Sequence, residues 1–214
     1  MSQPTAIVLG VGSVRGVGGA VCKRFAREGY HVVVVGRTAA KIDTVVAEIT
    51  ALGVDSAEAF PTDVTDETQV MAAFDRAMSP GTGREPADVV ISNAGNNAVI
   101  DFTQLTAAQF EDFWRVGCYS GFLIGREAAR RLMPLGRGTV IFTGASGSLR
   151  GKPGYAHFAA AKAGLRMIAQ SMAREYGPKE VHVAHVVIDG GVSGDRLQAV
   201  FPGRDLAESD DLLG

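Results

Sequence analysis

Cysteine and aromatic residues are scarce in this chain of 214 residues, and neither sign of charge dominates. The sequence has two cysteines, Cys22 and Cys118, one tryptophan, and 7% aromatic residues. Two cysteines are too few for a disulfide framework and suit a reducing compartment, so we expect a cytoplasmic protein. Lys and Arg number 21 against 23 Asp and Glu, which gives a formal net charge of −2. No basic surface is therefore expected for binding nucleic acid or an anionic membrane.

Long apolar runs are absent as well. No stretch reaches the roughly 18 apolar residues that a membrane-spanning helix needs. The first residues do not show a basic segment followed by an apolar one, so no signal peptide is expected. With 46% hydrophobic and 21% charged residues, the composition is that of a globular protein. We expect residues 1–214 to form a single domain.

Short apolar runs alternate with longer segments of helical pattern along the chain. The runs predict strands at 5–10, 31–36, 56–61, 87–92, 139–144 and 181–188. The intervening segments predict helices at about 16–28, 38–52, 66–79, 107–134 and 155–177. Several runs are continuously apolar, as in strands that are buried on both faces. The alternation predicts an α/β fold: a doubly wound parallel sheet of about six strands with helices on both faces.

Glycine is the residue in excess, with 27 among 214 residues, close to twice the usual share of ~7%. Gly12, Gly16 and Gly18 form a G-x-x-x-G-x-G turn between the first predicted strand and the first predicted helix. Such a turn lets a pyrophosphate approach the backbone, and the helix N-terminus attracts phosphate groups. This placement predicts a Rossmann-type dinucleotide site. The alternative is a tight turn that binds no ligand.

The end of the second predicted strand indicates which dinucleotide is bound. An acidic residue at this place would bind the adenosine ribose of NAD, but the sequence has Arg37, and Arg15 lies inside the glycine turn. Two guanidinium groups suit the 2′-phosphate of NADP(H). We therefore predict NADP(H) as the cofactor. The alternative is that both arginines are solvated surface charges.

The sequence resembles the short-chain dehydrogenase/reductase family across nearly its whole length. Further motifs carry the resemblance in chain order: Asp63-Val64, Asn93-Ala94-Gly95, Lys162 and Asp189-Gly190-Gly191-Val192. They are similar to the adenine-contacting pair, the N-A-G motif, the active-site lysine and the Pro-Gly-x-Val stretch beside the nicotinamide. Together with the glycine turn and the two arginines, the resemblance implies the following cofactor-binding residues: Gly12, Ser13, Arg15, Gly16, Val17, Gly18, Arg37, Asp63, Val64, Asn93, Ala94, Gly95, Lys162, Gly190 and Val192.

The family's catalytic positions are mostly replaced. The resemblance implies an Asn–Ser–Tyr–Lys set, in which the tyrosine exchanges a proton with the substrate oxygen and the lysine holds the nicotinamide ribose. The corresponding residues here are Cys118, Ala145, Phe158 and Lys162. Phenylalanine cannot transfer a proton, and general acid–base catalysis typically contributes 10²–10⁴-fold, about 3–5 kcal/mol of barrier. Either another group handles the proton, or the protein does not run the usual reaction.

Two residues are candidate substitutes. Tyr155 precedes Lys162 by seven residues, a spacing similar to that of the enoyl-acyl-carrier-protein reductases, and both would share a helix face if the helix begins by residue 155. The alternative is that Tyr155 is an ordinary residue at the start of a helix. Ser146 follows the fifth predicted strand, at the edge where such sheets form sites, although it could equally be a turn residue.

Histidine and cysteine give weaker indications. His157 is next to Phe158, and adjacent helix residues diverge by about 100°, so we expect His157 to point away from the site. We expect Cys118 to be a buried small side chain rather than a nucleophile. His182 and His185 are three apart on a strand and therefore on opposite faces. We predict no metal site.

These patterns predict an NADP(H)-dependent oxidoreductase that acts on a small carbonyl, alcohol or enone. The alternative function is a catalytically silent NADP(H)-binding sensor or scaffold. The resemblance also implies a homodimer or homotetramer that pairs through the helices at 107–134 and 155–177. The further helix and last strand of the family are not recognisable after the sixth predicted strand. We therefore expect either a sheet of six strands or a sequence that continues beyond residue 214.

Overall fold

The computed structural model describes residues 2–54, 56–192, 194–195 and 212–213. The long strands are β1 (Gln3–Leu9), β2 (His31–Gly36), β3 (Ala57–Pro61), β4 (Arg84–Ser92), β5 (Gly138–Ala145) and β6 (Val181–Ile188). The α-helices are α1 (Val17–Arg27), α2 (Ala39–Ala51), α3 (Glu67–Met78), α4 (Ala107–Trp114), α5 (Ser120–Leu132) and α6 (Ala156–Tyr176). β2 and β6 have the predicted bounds, and most other elements differ from theirs by a few residues.

The six strands are parallel and lie in the order β3-β2-β1-β4-β5-β6. From β1 the chain adds β2 and β3 toward one edge, and it then returns to add β4, β5 and β6 toward the other. This reversal creates a topological switch point between the carboxyl ends of β1 and β4, where sheets of this type bind their ligands. The predicted doubly wound α/β fold is confirmed.

Each face of the sheet has its own hydrophobic core. Ile7 and Leu9 of β1 pack in one cluster with apolar residues of α3, α5 and α6. Ala6 and Val8 point to the opposite face and pack in a second cluster with residues of α1 and α2. All four side chains are fully buried, because alternate residues of a strand face opposite sides of a sheet that is covered on both. The cores hold the carboxyl ends of the strands in fixed positions.

The predicted helix at 107–134 is interrupted. Between α4 and α5 the chain makes a π-helical turn over Arg115–Tyr119, which contains the buried Cys118. Gly117 precedes this cysteine and allows a close approach to α6, since a Cβ on Gly117 would lie 2.9 Å from the Cβ of Ala161. A π turn inserts an extra residue into the helix and occurs most often next to functional sites. The predicted helical segment at 107–134 is therefore present, with a π bulge that the sequence did not indicate.

Two short strands follow β6. Gly191–Val192 (β7) pairs in parallel with Leu212–Leu213 (β8), outside the six-stranded sheet. The expectation that no strand follows β6 was therefore wrong, whereas the main sheet does contain six strands. The segments 196–211 and 214, on which the sequence showed no readable motif, lie outside the described residues. In the part of the chain that the structure describes, every helix is too short or too polar to span a bilayer.

Candidate cofactor and substrate site

The glycine turn joins β1 to α1 at the switch point. Gly10 has a φ of 86°, a left-handed conformation that favours glycine. A Cβ on Gly18 would lie 2.9 Å from Nδ2 of Asn93 and 3.1 Å from Cα of Val11. Gly18 is therefore required for the turn to pack against β4. A Cβ on Gly12, in contrast, would meet no protein atom within 4 Å, so this glycine borders open space.

The N-terminus of α1 faces that open space without a cap. Gly16 is the N-cap residue and offers no side chain, and the first turn of α1 contains no acidic residue. The backbone N–H groups of this turn therefore have no side-chain acceptor, although a helix N-terminus favours one, and anions most of all. Ser13 and Val17 line the same space. The residues present fit a bound phosphate group.

An outer cavity of about 1010 Å³ extends from the glycine turn across the end of β2. Arg15, Arg37, Thr38 and Lys41 are among its lining residues, so the structure brings the two predicted arginines into one cavity. Arg37 is exposed. Nε of Arg15 lies 3.9 Å from Oδ1 of Asp195, with both side chains about half exposed. The outer cavity is thus lined by three cationic side chains, Arg15, Arg37 and Lys41, together with the carboxylates of Glu48 and Asp195.

The Asp63-Val64 pair is divided between two roles. Val64 lines the outer cavity together with Thr62. The carboxylate of Asp63 instead accepts hydrogen bonds from the backbone N–H of Thr65 at 2.9 Å and from its hydroxyl at 2.8 Å. Asp63 therefore shapes the turn that leads to α3, and it is not one of the residues that line the cavity. Its predicted contact with the cofactor stays a prediction.

An inner cavity of about 400 Å³ adjoins the outer one, on the β5 side of the switch point. Asn93 lines both cavities and donates a hydrogen bond from Nδ2 to the carbonyl of Gly10 at 3.1 Å, which ties β4 to the glycine turn. The other predicted cofactor residues around the two cavities are Gly12, Ser13, Gly16, Val17, Gly18, Ala94, Gly95, Gly190 and Val192.

Lys162 of α6 lines the inner cavity. Its Nζ donates hydrogen bonds to the carbonyl of Thr143 at 2.8 Å and to that of Ala94 at 3.3 Å. Only 5% of the residue is exposed, and burial lowers its pKa from 10.5 to about 8, a shift that the Cys118 thiol partly opposes. A Cβ on Gly95 would lie 3.3 Å from Nζ, so this glycine is needed for the lysine to approach the loop after β4.

Two of the three replaced catalytic positions also line the inner cavity. Phe158 and Ala145 are both half-buried in its wall. Phe158 lies one helical turn before Lys162 and packs closely against Gly147, where an added Cβ would come within 3.0 Å of the ring. These two side chains present only carbon atoms to the cavity.

Tyr155 lines the inner cavity too, but it lies outside the helix that carries Lys162. It is the N-cap residue of α6, with φ −126° and ψ 21°, so the condition that the helix begins by residue 155 is not met. The Lys152 ammonium lies 5.7 Å from the centre of its ring. Its carbonyl accepts the first hydrogen bond of the helix, from the backbone N–H of Ala159 at 2.8 Å, and both Tyr155 and Lys162 line the inner cavity.

Ser146 is not brought together with the other candidates. Of the described residues, Ala145 lines the inner cavity and Ser146 does not. A hydrogen bond from the Ser146 side chain lowers the pKa of Asp189 below its ordinary value, and Arg150 adds to the shift. Nη2 of Arg150 lies 3.3 Å from both carboxylate oxygens of that aspartate. Ser146 therefore supports the loop that carries Gly190.

The histidines and cysteines lie outside both cavities. His157 is fully buried against Phe113, with ring centres 4.1 Å apart, as expected for a side chain that points away from the site. Burial raises the pKa of the Cys118 thiol, and the positive charge of Lys162 opposes this shift. His182 is exposed, whereas His185 is half-buried. Among the described residues, no three His, Cys, Asp or Glu side chains are grouped as metal ligands.

Sequence reasoning missed part of the inner cavity. Its wall includes four consecutive residues after the N-A-G motif, Asn96, Asn97, Ala98 and Val99, and also Thr143 at the end of β5. A signal was available, because residues that follow the carboxyl ends of central strands in such sheets surround the ligand crevice. The contact of Val99 with Gly154 could not be foreseen, since it joins loops that are distant in sequence.

The fold and the two cavities define a dinucleotide-binding domain of the doubly wound α/β class. Residues 6–204 match the family model for short chain dehydrogenases. The chain belongs to this family, whose members are NAD(P)-dependent oxidoreductases.

Three similar proteins illustrate this membership. A gluconate 5-dehydrogenase from Gluconobacter oxydans is 30% identical over 169 residues, which cover 78% of this chain and 63% of the relative, so the chain spans less than two thirds of that protein. A short-chain dehydrogenase from Rhodopseudomonas palustris has a similar structure, with a TM-score of 0.80, 34% identity, and coverage of 98% of this chain and 96% of the other. A structure described as a candidate NAD(P)-dependent gluconate 5-dehydrogenase from Beutenbergia cavernae contains NADP at low occupancy. It has a TM-score of 0.83 and 26% identity, with coverage of 94% and 77%.

Proposed function

We propose that this protein is an NADP(H)-dependent oxidoreductase that reduces a small carbonyl compound or enone, or oxidises the corresponding alcohol. One observation carries the proposal. The uncapped N-terminus of α1, the Asn93 bridge and the buried Lys162 all border two adjoining cavities at the switch point of the sheet. The outer cavity has the length and charge for the adenosine half of a dinucleotide, and the inner one has room for the nicotinamide and a small substrate.

Each part of the cofactor has residues to hold it. The glycine turn and the first turn of α1 would bind the pyrophosphate through backbone N–H groups. Lys162 would hold the nicotinamide ribose, and Gly190 and Val192 would border the nicotinamide ring. When bound, NADP(H) supplies or accepts a hydride. The contribution of this chain is to place the substrate carbon beside the ring and to provide a proton for the substrate oxygen.

The choice of NADP(H) over NAD(H) rests on charge. Arg15, Arg37 and Lys41 line the outer cavity. A 2′-phosphate would be paired with these cations, whereas the ribose of NAD offers no anion at that place. The relative from Beutenbergia cavernae that holds NADP agrees with this assignment.

The inner cavity favours a small substrate with apolar groups. Ala98, Val99, Ala145 and Phe158 contribute carbon surface, and Asn96 and Asn97 supply amide groups near the entrance. Tyr155 is placed to contact a substrate at this wall. We retain Ser146 only as a support for the loop that carries Gly190.

The proposal is tested by binding and by turnover. NADPH is titrated into the protein and followed by its fluorescence, and a panel of small ketones, aldehydes and enones is then screened for NADPH oxidation at 340 nm. We expect saturable binding and turnover of at least one class. A protein that binds NADPH tightly but oxidises it with no member of the panel contradicts the proposal.

A second candidate function is that of a catalytically silent NADP(H)-binding sensor or scaffold. It is favoured by the loss of both hydroxyl groups from the inner cavity, at Ala145 and Phe158. The discriminating variant restores them as Ala145→Ser/Phe158→Tyr. If only this variant turns over, the natural protein is the silent binder.

We also propose that the protein is an oligomer and that it is located in the cytoplasm. Large apolar side chains on α4 and α5 are exposed, such as Trp114 at 40% and Phe122 at 42%, and Met167 of α6 is exposed at 51%. They support a homodimer or homotetramer that buries these helices, which light scattering after gel filtration would detect. Cys22 and Cys118 are both free and buried, which supports a location in the reducing cytoplasm. We also propose that residues 1–214 form a single domain.

A further inference from the structure

The reduction that we propose needs a proton at the substrate oxygen, and few side chains of the inner cavity can supply one. Its described lining residues with a side-chain proton on an ionisable group are Arg15, Tyr155, Lys162 and Asp195. An arginine does not give up its proton in proteins, and Asp195 lies beside the Arg15 guanidinium. Tyr155 and Lys162 are left.

Tyr155 is poorly placed for this task. It precedes the first residue of α6 and has a non-helical backbone conformation, and the Lys152 ammonium lies over its ring. Lys152 is itself exposed, so the tyrosine belongs to the mouth of the cavity. Its backbone lies about 10 Å before that of Lys162 along the helix axis, and no hydrogen bond joins the two side chains among the described residues.

Lys162 lines the inner cavity and carries more N–H donors than its two backbone partners use. An ammonium group carries three N–H donors. Two of them are used by the carbonyls of Thr143 and Ala94, which fix the head group. The third is available to the cavity, where a ribose hydroxyl and the substrate oxygen would share it. Phe158 lies one turn before Lys162 and presents a ring without a hydroxyl, so no tyrosine stands between the ammonium and a substrate.

We propose that Lys162 is itself the proton donor to the substrate oxygen, in the place of the tyrosine that Phe158 replaces. This assignment rests on the proposed reductase function. When the substrate carbon receives hydride from the reduced cofactor, the π electron pair of the carbonyl moves to oxygen. One N–H bond of Lys162 breaks, its electron pair stays on Nζ, and the proton forms the new O–H bond. The neutral amine then regains a proton from water.

The electrostatic surroundings suit a donor that works near neutral pH. Burial lowers the pKa of Lys162 to about 8, so the ammonium predominates at pH 7 and is a stronger acid than an ordinary lysine with a pKa of ~10.4. The titratable groups around it are Cys118 of the π turn and His185 of β6, whose own pKa is lowered by burial and by the charges of Lys162 and Arg166. In the reducing direction, kcat should therefore fall as pH rises above about 8.

The test separates proton donation from cofactor binding. Lys162→Arg retains a cation with several N–H donors, but its guanidinium does not release a proton. We expect kcat to fall by roughly 10²–10⁴-fold, the usual contribution of general acid catalysis, and to fall by a larger factor than the NADPH affinity measured by fluorescence titration, because the guanidinium can still donate to the ribose. Lys179→Arg makes the same change in the turn after α6, outside both cavities, and should alter neither quantity.

Two further measurements exclude a merely structural role. The chain has five lysines, so Nζ of Lys162 can be assigned by ¹⁵N-lysine NMR in the protein without cofactor. Its titration midpoint should match the pH at which kcat/KM for NADPH falls, because that ratio reports the pKa values of the free enzyme. Phe158→Tyr added to Lys162→Arg provides a new donor beside a permanent cation, and it should recover at least about tenfold of the lost kcat and abolish the break in the pH profile.

The outcomes are distinct. A natural protein that binds NADPH but turns over no substrate defeats the proposed function, and the assignment with it. Turnover that survives Lys162→Arg, or a kcat that stays constant between pH 7 and about 9.5, overturns the assignment and leaves the function intact. Loss of turnover in Tyr155→Phe with no loss in Lys162→Arg would move the donor to Tyr155.

Discussion

Arg37→Ala should separate NADPH from NADH binding. Arg37 is exposed just after the end of β2 and lines the outer cavity, and its side chain forms no ion pair or hydrogen bond with the other described residues. Hydrogen bonds to a charged group change an equilibrium constant by roughly 10- to 150-fold. Because Arg37 is open to solvent, and because Arg15 and Lys41 remain in the same cavity, we expect the lower end, an increase of about tenfold in the Kd of NADPH.

The prediction concerns the ratio of two affinities. NADH has no 2′-phosphate, so its Kd should change less than about twofold in Arg37→Ala. Fluorescence titrations of both nucleotides at about 0.15 M ionic strength, where screening is moderate, measure the two values. Arg27→Ala removes an exposed arginine from the opposite end of α1 and serves as the matched control. Equal weakening of NADPH and NADH by Arg37→Ala would refute the assignment of this residue to the phosphate.

The remaining predictions concern the glycine turn, the catalytic wall and the buried charge. Gly12→Ala should weaken NADPH and leave the melting temperature within a degree or two, whereas Gly18→Ala, whose Cβ would lie 2.9 Å from an amide nitrogen of β4, should lower the melting temperature as well by several degrees. Ala145→Ser/Phe158→Tyr should raise kcat at least about tenfold in the carbonyl screen, and an unchanged kcat would mean that these positions do not face the substrate. The difference in the free energy of unfolding between the natural protein and Lys162→Met should rise on the order of 3 kcal/mol between pH 8 and 10.5. Over this range Lys162 keeps its proton in the unfolded chain but loses it in the folded protein, where its pKa is about 8. Urea titrations across that pH range measure the difference, and a flat difference would mean that Lys162 is not desolvated.

Most of the sheet and helices could be predicted because the spacing of apolar residues along the sequence indicates which side chains are buried. β2 contains four consecutive valines and is buried on both faces. A short apolar run of β-branched residues favours a central strand of a parallel sheet. The π turn at Arg115–Tyr119 could not be predicted, because it depends on the approach of α6 to Gly117. The sequence also did not show that Tyr155 is the N-cap residue of α6, because a sequence pattern defines the first residue of a helix only to within a few positions.

The cofactor residues and the catalytic residues differ in what fixes them. A Cβ on Gly18 would crowd the Cα of Val11 and the side chain of Asn93, and a Cβ on Gly95 would crowd the end of Lys162. Packing therefore favours glycine at both positions, and a sequence pattern reveals them. The hydroxyl groups of a family tyrosine and serine are tips of side chains whose removal leaves the packing unchanged. Phe158 fills the same wall as a tyrosine would. The fold and the cofactor site therefore say little about the proton, which has to be assigned from the groups that remain in the cavity, and Lys162 is the one that is both fixed in place and able to give it up.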